Sequence, residues 1–116
     1  MGGYRVQGRT AEDAARLVAD ARALEEAGVF ALVLEGMPAD VARQITAAVS
    51  VPTIGIGAGP DCDGQVLVIN DLLGLTEKPP KFVKAYADLR GLMQKALASY
   101  KAEVEGGQFP GPEHGY

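Results

Sequence analysis

Tryptophan is absent from this sequence, and its 116 residues include only one cysteine and one histidine. A lone Cys62 excludes an internal disulfide framework and fits a reducing compartment. With no CxxC partner for Cys62, and with the histidine, His114, in the final residues, a Cys–His nucleophilic pair has little support. No apolar run approaches the roughly 18 residues that a membrane-spanning helix needs, and Met1-Gly2-Gly3-Tyr4-Arg5 lacks the apolar stretch of a secretory signal. The formal charge is -4 and the lysines are scattered, so the concentrated basic face that nucleic acid requires is missing. What is present is ordinary for a folded chain. Apolar residues make up 47% and charged residues 22%, which argues against disorder. These features predict one soluble cytoplasmic domain with no nucleic-acid or membrane partner.

Local patterns divide the chain into elements. Thr10 followed by Asp13 makes a capping-box-like start, with the hydroxyl free to take an orphan amide and the acid at the positive helix end. Ala14, Leu17, Val18, Ala21 and Leu24 recur at helical spacing, and Gly28 stands where a left-handed cap belongs, so a helix is predicted over 11–27. The continuous apolar run Phe30-Ala31-Leu32-Val33-Leu34 predicts a strand buried on both faces. Pro38 suits the first turn of a second helix carrying Val41, Ile45, Ala48 and Val49 on one stripe. A second buried strand is predicted at 52–56, so strand, helix and strand form a βαβ unit.

Residues 63–73 fit either a strand at 65–69 or a short helix. A strand so soon after the previous one leaves too little chain for a parallel crossover, which favours the helix. The next strand then falls at 81–86, and Asp88 caps a last helix with a stripe of Leu89, Leu92, Met93, Ala96, Leu97, Tyr100 and Val104. Gly106-Gly107 ends that helix, and 108–116 is a tail. The predicted class is α/β, a leading helix and three βα units.

Several residues could carry chemistry. Glu35 follows a buried strand directly, at the carboxyl end where α/β folds place their active sites. Burial raises a carboxylic acid toward neutrality and suits it to proton transfer, although an acid there could equally cap the next helix or pair with an arginine. Gly55-Ile56-Gly57-Ala58-Gly59 lets a backbone approach a ligand or turn sharply. It is no dinucleotide fingerprint, since the third glycine would fall on Pro60, and no Gly-Lys-Ser/Thr follows. Asp61, Asp63 and Asp71 match no calcium loop and are better taken as solvated acids, with Asp63 a helix cap. Lys78, Lys81 and Lys84 fit a solvated flank better than a phosphate site.

Six segments together carry a family resemblance: Gly2-Gly3-Tyr4-Arg5-Val6-Gln7-Gly8-Arg9, Leu32-Val33-Leu34-Glu35-Gly36, Pro52-Thr53-Ile54-Gly55-Ile56-Gly57-Ala58-Gly59, Asp63-Gly64-Gln65-Val66-Leu67-Val68, Pro80-Lys81-Phe82-Val83-Lys84 and Phe109-Pro110-Gly111-Pro112-Glu113-His114. In this order and spacing the chain resembles ketopantoate hydroxymethyltransferase. The resemblance implies a (βα)8 TIM barrel that binds Mg²⁺ and a 2-oxoacid and takes its one-carbon unit from 5,10-methylenetetrahydrofolate. A closed barrel takes at least ~200 residues, so the chain is expected to be its C-terminal part, one partial-barrel domain over 1–116 with a tail at 108–116. Glu35 matches the family's proton acceptor, and Ile56 and Val68 match apolar positions lining the substrate pocket. The family's metal ligands lie on earlier strands without counterparts here, so no metal ligand is assigned. Asn70 stands where many members carry histidine. The expected partners are the 2-oxoacid and folate, with a homo-oligomer or a complementary barrel piece completing the fold. The alternative is a non-catalytic barrel fragment that self-associates.

Overall fold

A computed structural model of the chain describes residues 5–116. The first helix, α1 (Ala11–Glu26), begins as its sequence predicts: the Asp13 amide donates to the Thr10 hydroxyl at 3.1 Å, and Gly28 follows the end at φ +97°. Strand β1 (Leu32–Glu35), helix α2 (Ala39–Ala48) and strand β2 (Thr53–Ile56) then form the expected βαβ unit. The two strands pair in parallel with Leu32 opposite Thr53 and Glu35 opposite Ile56. Ala21 of α1, Leu32 and Leu34 of β1, and Val41, Ala42 and Ile45 of α2 share one apolar core with Met37 and Ala58. Within it Ile45 is 1% exposed.

The strand is not buried on both faces. Burial in β1 alternates, with Leu32 and Leu34 inside and Val33 61% exposed. Phe30, at the head of the apolar run, lies before the strand and is 91% exposed. Helices α1 and α2 both pack on the Leu32 and Leu34 side of the sheet, and an unbroken apolar run does not itself say how many layers are present.

Residues 63–73 form both alternatives in miniature. A two-residue strand, β3 (Gly64–Gln65), pairs in parallel with β2, and a four-residue helix, α3 (Ile69–Leu72), follows. The sheet order is β1-β2-β3. The crossover argument fails because β2 is only four residues long, a return of about 13 Å at ~3.3 Å per residue, which the loop 57–63 can span. Asp63 pins that return and caps no helix. Its carboxylate accepts the Thr53 amide at 2.9 Å and the Thr53 hydroxyl at 3.3 Å, while its own amide donates to that hydroxyl at 3.2 Å. The Thr46 hydroxyl is 2.9 Å from the same atom and donates to the Ala42 carbonyl, so the fully buried Thr53 is satisfied on every side. Glu25 makes a second long-range clamp, its carboxylate accepting the Ser50 and Val51 amides between α2 and β2.

The third βα unit lacks its strand. Residues 81–86 are turns and irregular chain, with the Val83 amide donating to the Pro80 carbonyl at 3.0 Å. Pro79-Pro80 supplies no amide just before the run, and β3 presents an edge of only two residues, too short to template another strand. Residues 80–83 belong to a first compact unit with the chain up to Leu67. The second unit holds Val68–Pro79 and Lys84–Tyr116. Here the Tyr86 and Leu89 amides donate to the Leu72 and Leu73 carbonyls, and helix α4 (Leu89–Glu105) starts on its predicted cap, the Asp88 carboxylate accepting the Gly91 amide at 3.0 Å. The tail folds onto α4 through an edge contact of Phe109 with Tyr100, ring centroids 5.7 Å apart. It closes in a 3-10 turn, Pro112–His114, where the Gly111 amide donates to His114 Nδ1. No residue of α4 is buried.

The Asp63 clamp yields a stability test. Asp63→Ala leaves the buried Thr53 amide without its acceptor and is expected to cost about 1–3 kcal/mol. Asp61→Ala, two residues away and without a side-chain hydrogen bond or ion pair among the described residues, is expected to stay within about 0.5 kcal/mol. Urea unfolding of the two variants beside the parent measures the difference.

Candidate functional site

Glu35 stands at the carboxyl end of β1, and the ladder continues beyond it. The Gly36 amide donates to the Ile56 carbonyl at 3.0 Å and the Met37 amide to the Gly57 carbonyl at 3.1 Å. The Gln7 amide in turn donates to the Gly36 carbonyl at 2.7 Å. These bonds hold the strand end while Gly36, at φ +60°, turns the chain toward α2. The alternation that buries Leu32 and Leu34 sends Glu35 to the opposite, open face with Val33. Ile56, in register with Glu35, belongs to that same face. Two of the three residues singled out from the sequence therefore come together, a carboxylate beside an apolar side chain. Val68 belongs to the second unit, where it precedes α3 and is exposed.

The burial expected around Glu35 is not supplied here, since the side chain is exposed among the described residues. The glycine loop is shaped by crowding. A Cβ on Gly57, at φ +68°, would sit 2.7 Å from a carbon of the Phe82 ring, and one on Gly59, at φ +79°, 2.3 Å from the Ala39 Cβ. Gln65 fixes the loop further, its amide nitrogen donating to the Gly59 carbonyl at 2.9 Å. Close approach of protein to protein accounts for both glycines. Phe82 and Gln65 are thus parts of the strand-end architecture that local patterns did not reveal. Phe82 sits in a run with strand propensity, and no local pattern links it to a glycine 25 positions earlier.

No three His, Cys, Asp or Glu side chains gather among the described residues in a way that could hold a metal ion. Asp63 is committed to Thr53, and Asp71 to the Thr76 hydroxyl. The side chains described therefore do not fit a divalent cation. A cavity of about 380 Å³ opens between the starts of α1 and α2, lined by Arg9, Thr10, Pro38, Asp40 and Gln44 among others, and does not include Glu35 or Ile56. Its one acid, Asp40, is already engaged by Arg43 and Gln44.

The family model for ketopantoate hydroxymethyltransferase matches residues 1–112. The chain belongs to this family. It is 62% identical over 117 residues to the 3-methyl-2-oxobutanoate hydroxymethyltransferase of Geotalea uraniireducens, the match taking 100% of this chain and 44% of the relative. The enzyme of the same name from Moorella thermoacetica is also 62% identical with the same coverage. That of Geotalea daltonii is 64% identical over 111 residues, 95% of this chain and 42% of the relative. The chain thus spans less than half the length of these family members and corresponds to their C-terminal portion.

Cys62 gives a pH-dependent test. Burial pushes its thiol above the ordinary range, with Asp63 and Asp61 adding in the same direction and hydrogen bonds to Thr53 and Thr46 opposing. The folded chain therefore holds this proton more tightly than the unfolded chain. Its contribution is fully present below the ordinary thiol pKa and is lost as pH rises through that range toward the raised native value. Urea titrations across alkaline pH are expected to show this fall in the parent, and a shallower one in Cys62→Ala. Gly59→Ala tests the loop: a left-handed alanine costs about 1–2 kcal/mol before any clash, and a lowered urea midpoint is the expected result.

Proposed function

We propose that this chain carries the proton-accepting part of a hydroxymethyl transfer from 5,10-methylenetetrahydrofolate to 3-methyl-2-oxobutanoate, giving 2-dehydropantoate in pantothenate biosynthesis. Glu35 is the proton acceptor. Its carboxylate takes the proton from C3 of the 2-oxoacid, the C–H electron pair passes into the enolate, and the enolate carbon bonds to the methylene carbon, whose two bonds to folate nitrogen break as water supplies the hydroxyl and tetrahydrofolate leaves. Ile56 and Val68 are the apolar residues assigned to the lining of the substrate pocket. The observation that supports this most is the Glu35–Ile56 pairing across two strand ends on an open face. It sets an exposed, ladder-held carboxylate beside an apolar wall, which suits a base that must meet a C–H bond.

On this reading residues 1–116 form one partial-barrel domain with 108–116 as its tail, acting in the cytoplasm within a homo-oligomer or with a complementary barrel piece. The family's Mg²⁺ would have to be held by residues other than those described here. A second reading, a barrel fragment that self-associates without catalysis, draws on the absence of buried residues from α4.

Proton NMR of 3-methyl-2-oxobutanoate in D₂O with Mg²⁺ in the buffer tests the assignment. The chain supplied with the portion of the Geotalea uraniireducens relative outside the matched stretch is expected to exchange the C3 proton above the no-protein rate. Loss of a positioned general base typically costs about 10²–10⁴-fold, so Glu35→Gln should return the signal to background. The chain alone is expected to give no exchange. Equal exchange by the parent and the variant would remove Glu35 from the reaction.

A further inference from the structure

The Asp63 clamp accounts for only part of the motif Asp63-Gly64-Gln65-Val66. Its glycine lies on β3 in register with Ile54, which in turn stands opposite Val33. Register partners on neighbouring parallel strands share a face, so Val33, Ile54 and Gly64 form one row across the open face of the sheet. The face of Gly64 is fixed by its neighbour. A Cβ on Gly55 would meet the Gln65 side chain at 3.2 Å. Gly55 alternates with the open-face residues Ile54 and Ile56, so Gln65 projects to the other side and Gly64 to the open one. Glu35 and Ile56 form the next row, two residues further along, which is about 6.6 Å in a strand.

Two β-branched side chains and a glycine make an uneven row. Val33 and Ile54 stand up from the sheet, whereas a Cβ on Gly64 would meet nothing within 4 Å. No clash therefore demands a glycine here, in contrast to Gly57 and Gly59. No left-handed backbone demands one either, since Gly64 is not among the glycines with positive φ. A glycine inside a strand forgoes packing and often marks a place where a ligand comes close. What it leaves is a notch beside Ile54, one row below Ile56. Gly64 lies two strands from β1, about 9.6 Å across. A glutamate side chain, a contact of ~3 Å to C3 and an alkyl branch on that carbon together fill such a span.

We propose that the row Val33–Ile54–Gly64 is the floor of the substrate pocket, and that Ile54 and Gly64 set the size of the C3 substituent a 2-oxoacid can carry. This rests on the reading of Glu35 as proton acceptor. With C3 at the Glu35 carboxylate, the alkyl groups on that carbon meet the row below. The notch over Gly64 admits bulk there and Ile54 limits it. The row offers only hydrocarbon, which suits an alkyl group and leaves the polar end of the oxoacid to other residues.

The test uses the complex of this chain with the non-matching portion of the Geotalea uraniireducens relative, in D₂O with Mg²⁺. Proton NMR follows C3 exchange of 2-oxobutanoate, which carries one methyl on C3, and of 3-methyl-2-oxopentanoate, which carries a methyl and an ethyl. The readout is the ratio of the larger to the smaller substrate's rate, compared between variant and parent so that intrinsic acidities cancel. One methylene in an apolar pocket changes discrimination by about 10–200-fold. Gly64→Val should therefore lower the ratio at least ~10-fold, and Ile54→Ala should raise it by a similar factor. A purely structural effect would slow both substrates alike. A separate binding readout is the Gly64 amide resonance, which should shift when 3-methyl-2-oxobutanoate is added to the parent complex without folate. An unchanged ratio in either variant, or an unmoved Gly64 resonance, would overturn the proposal. Ratios that move while Glu35→Gln exchanges as fast as the parent would remove only the base assignment. No exchange by the parent, with a shifted Gly64 resonance, would remove the reaction and support the floor.

Discussion

The ladder between β1 and β2 holds the two halves of the candidate site in one frame. Four residues of each strand pair in register, and the Gly36–Ile56 and Met37–Gly57 bonds carry the pairing past the last strand residues. Because parallel strands need a crossover, α2 is obligatory, and its inward residues Val41, Ala42 and Ile45 become the core. The position of Glu35 follows from the same bonds. A carboxylate on a free loop would sample many directions, whereas one on a strand end held by the β2 ladder samples few.

The burial pattern sets what this frame can do. One face of the sheet is filled by apolar side chains from two helices, while the other presents apolar residues and a carboxylate to solvent. The apolar core and the candidate site thereby lie on opposite faces. Buried polar groups are confined to the Thr53 network, where Thr46 and Asp63 satisfy them. No buried side-chain polar atom among the described residues lacks a partner. The structure tolerates a two-residue third strand because Asp63 fixes the loop that leads to it.

The second unit is organised by local bonds more than by burial. The cap at Asp88, the amides of 86 and 89 on the end of α3, and the aromatic contact of Phe109 with Tyr100 are its main ties. Its long helix keeps Leu92, Leu97 and Tyr100 largely exposed. An apolar stripe at helical spacing predicts a helix reliably, since the period belongs to the backbone. Whether that stripe becomes a core depends on what lies opposite.

The sequence by itself determined the helices at 11–26, 39–48 and 89–105, because period, caps and breakers act within a few residues. It also determined the family, through six short segments in order, and the position of Glu35 at a strand end, since an acid after an apolar run is a local pattern. Only the tertiary structure decided that β1 is open on one face, because burial depends on how many layers pack, and a run of apolar residues carries no count of them. It alone turned 64–65 into a strand and denied one to 81–86, because a strand exists only where a neighbour offers an edge. The roles of Asp63, Gln65 and Phe82 were settled there too. Their partners lie between six and 25 positions away in sequence, beyond the reach of any local pattern.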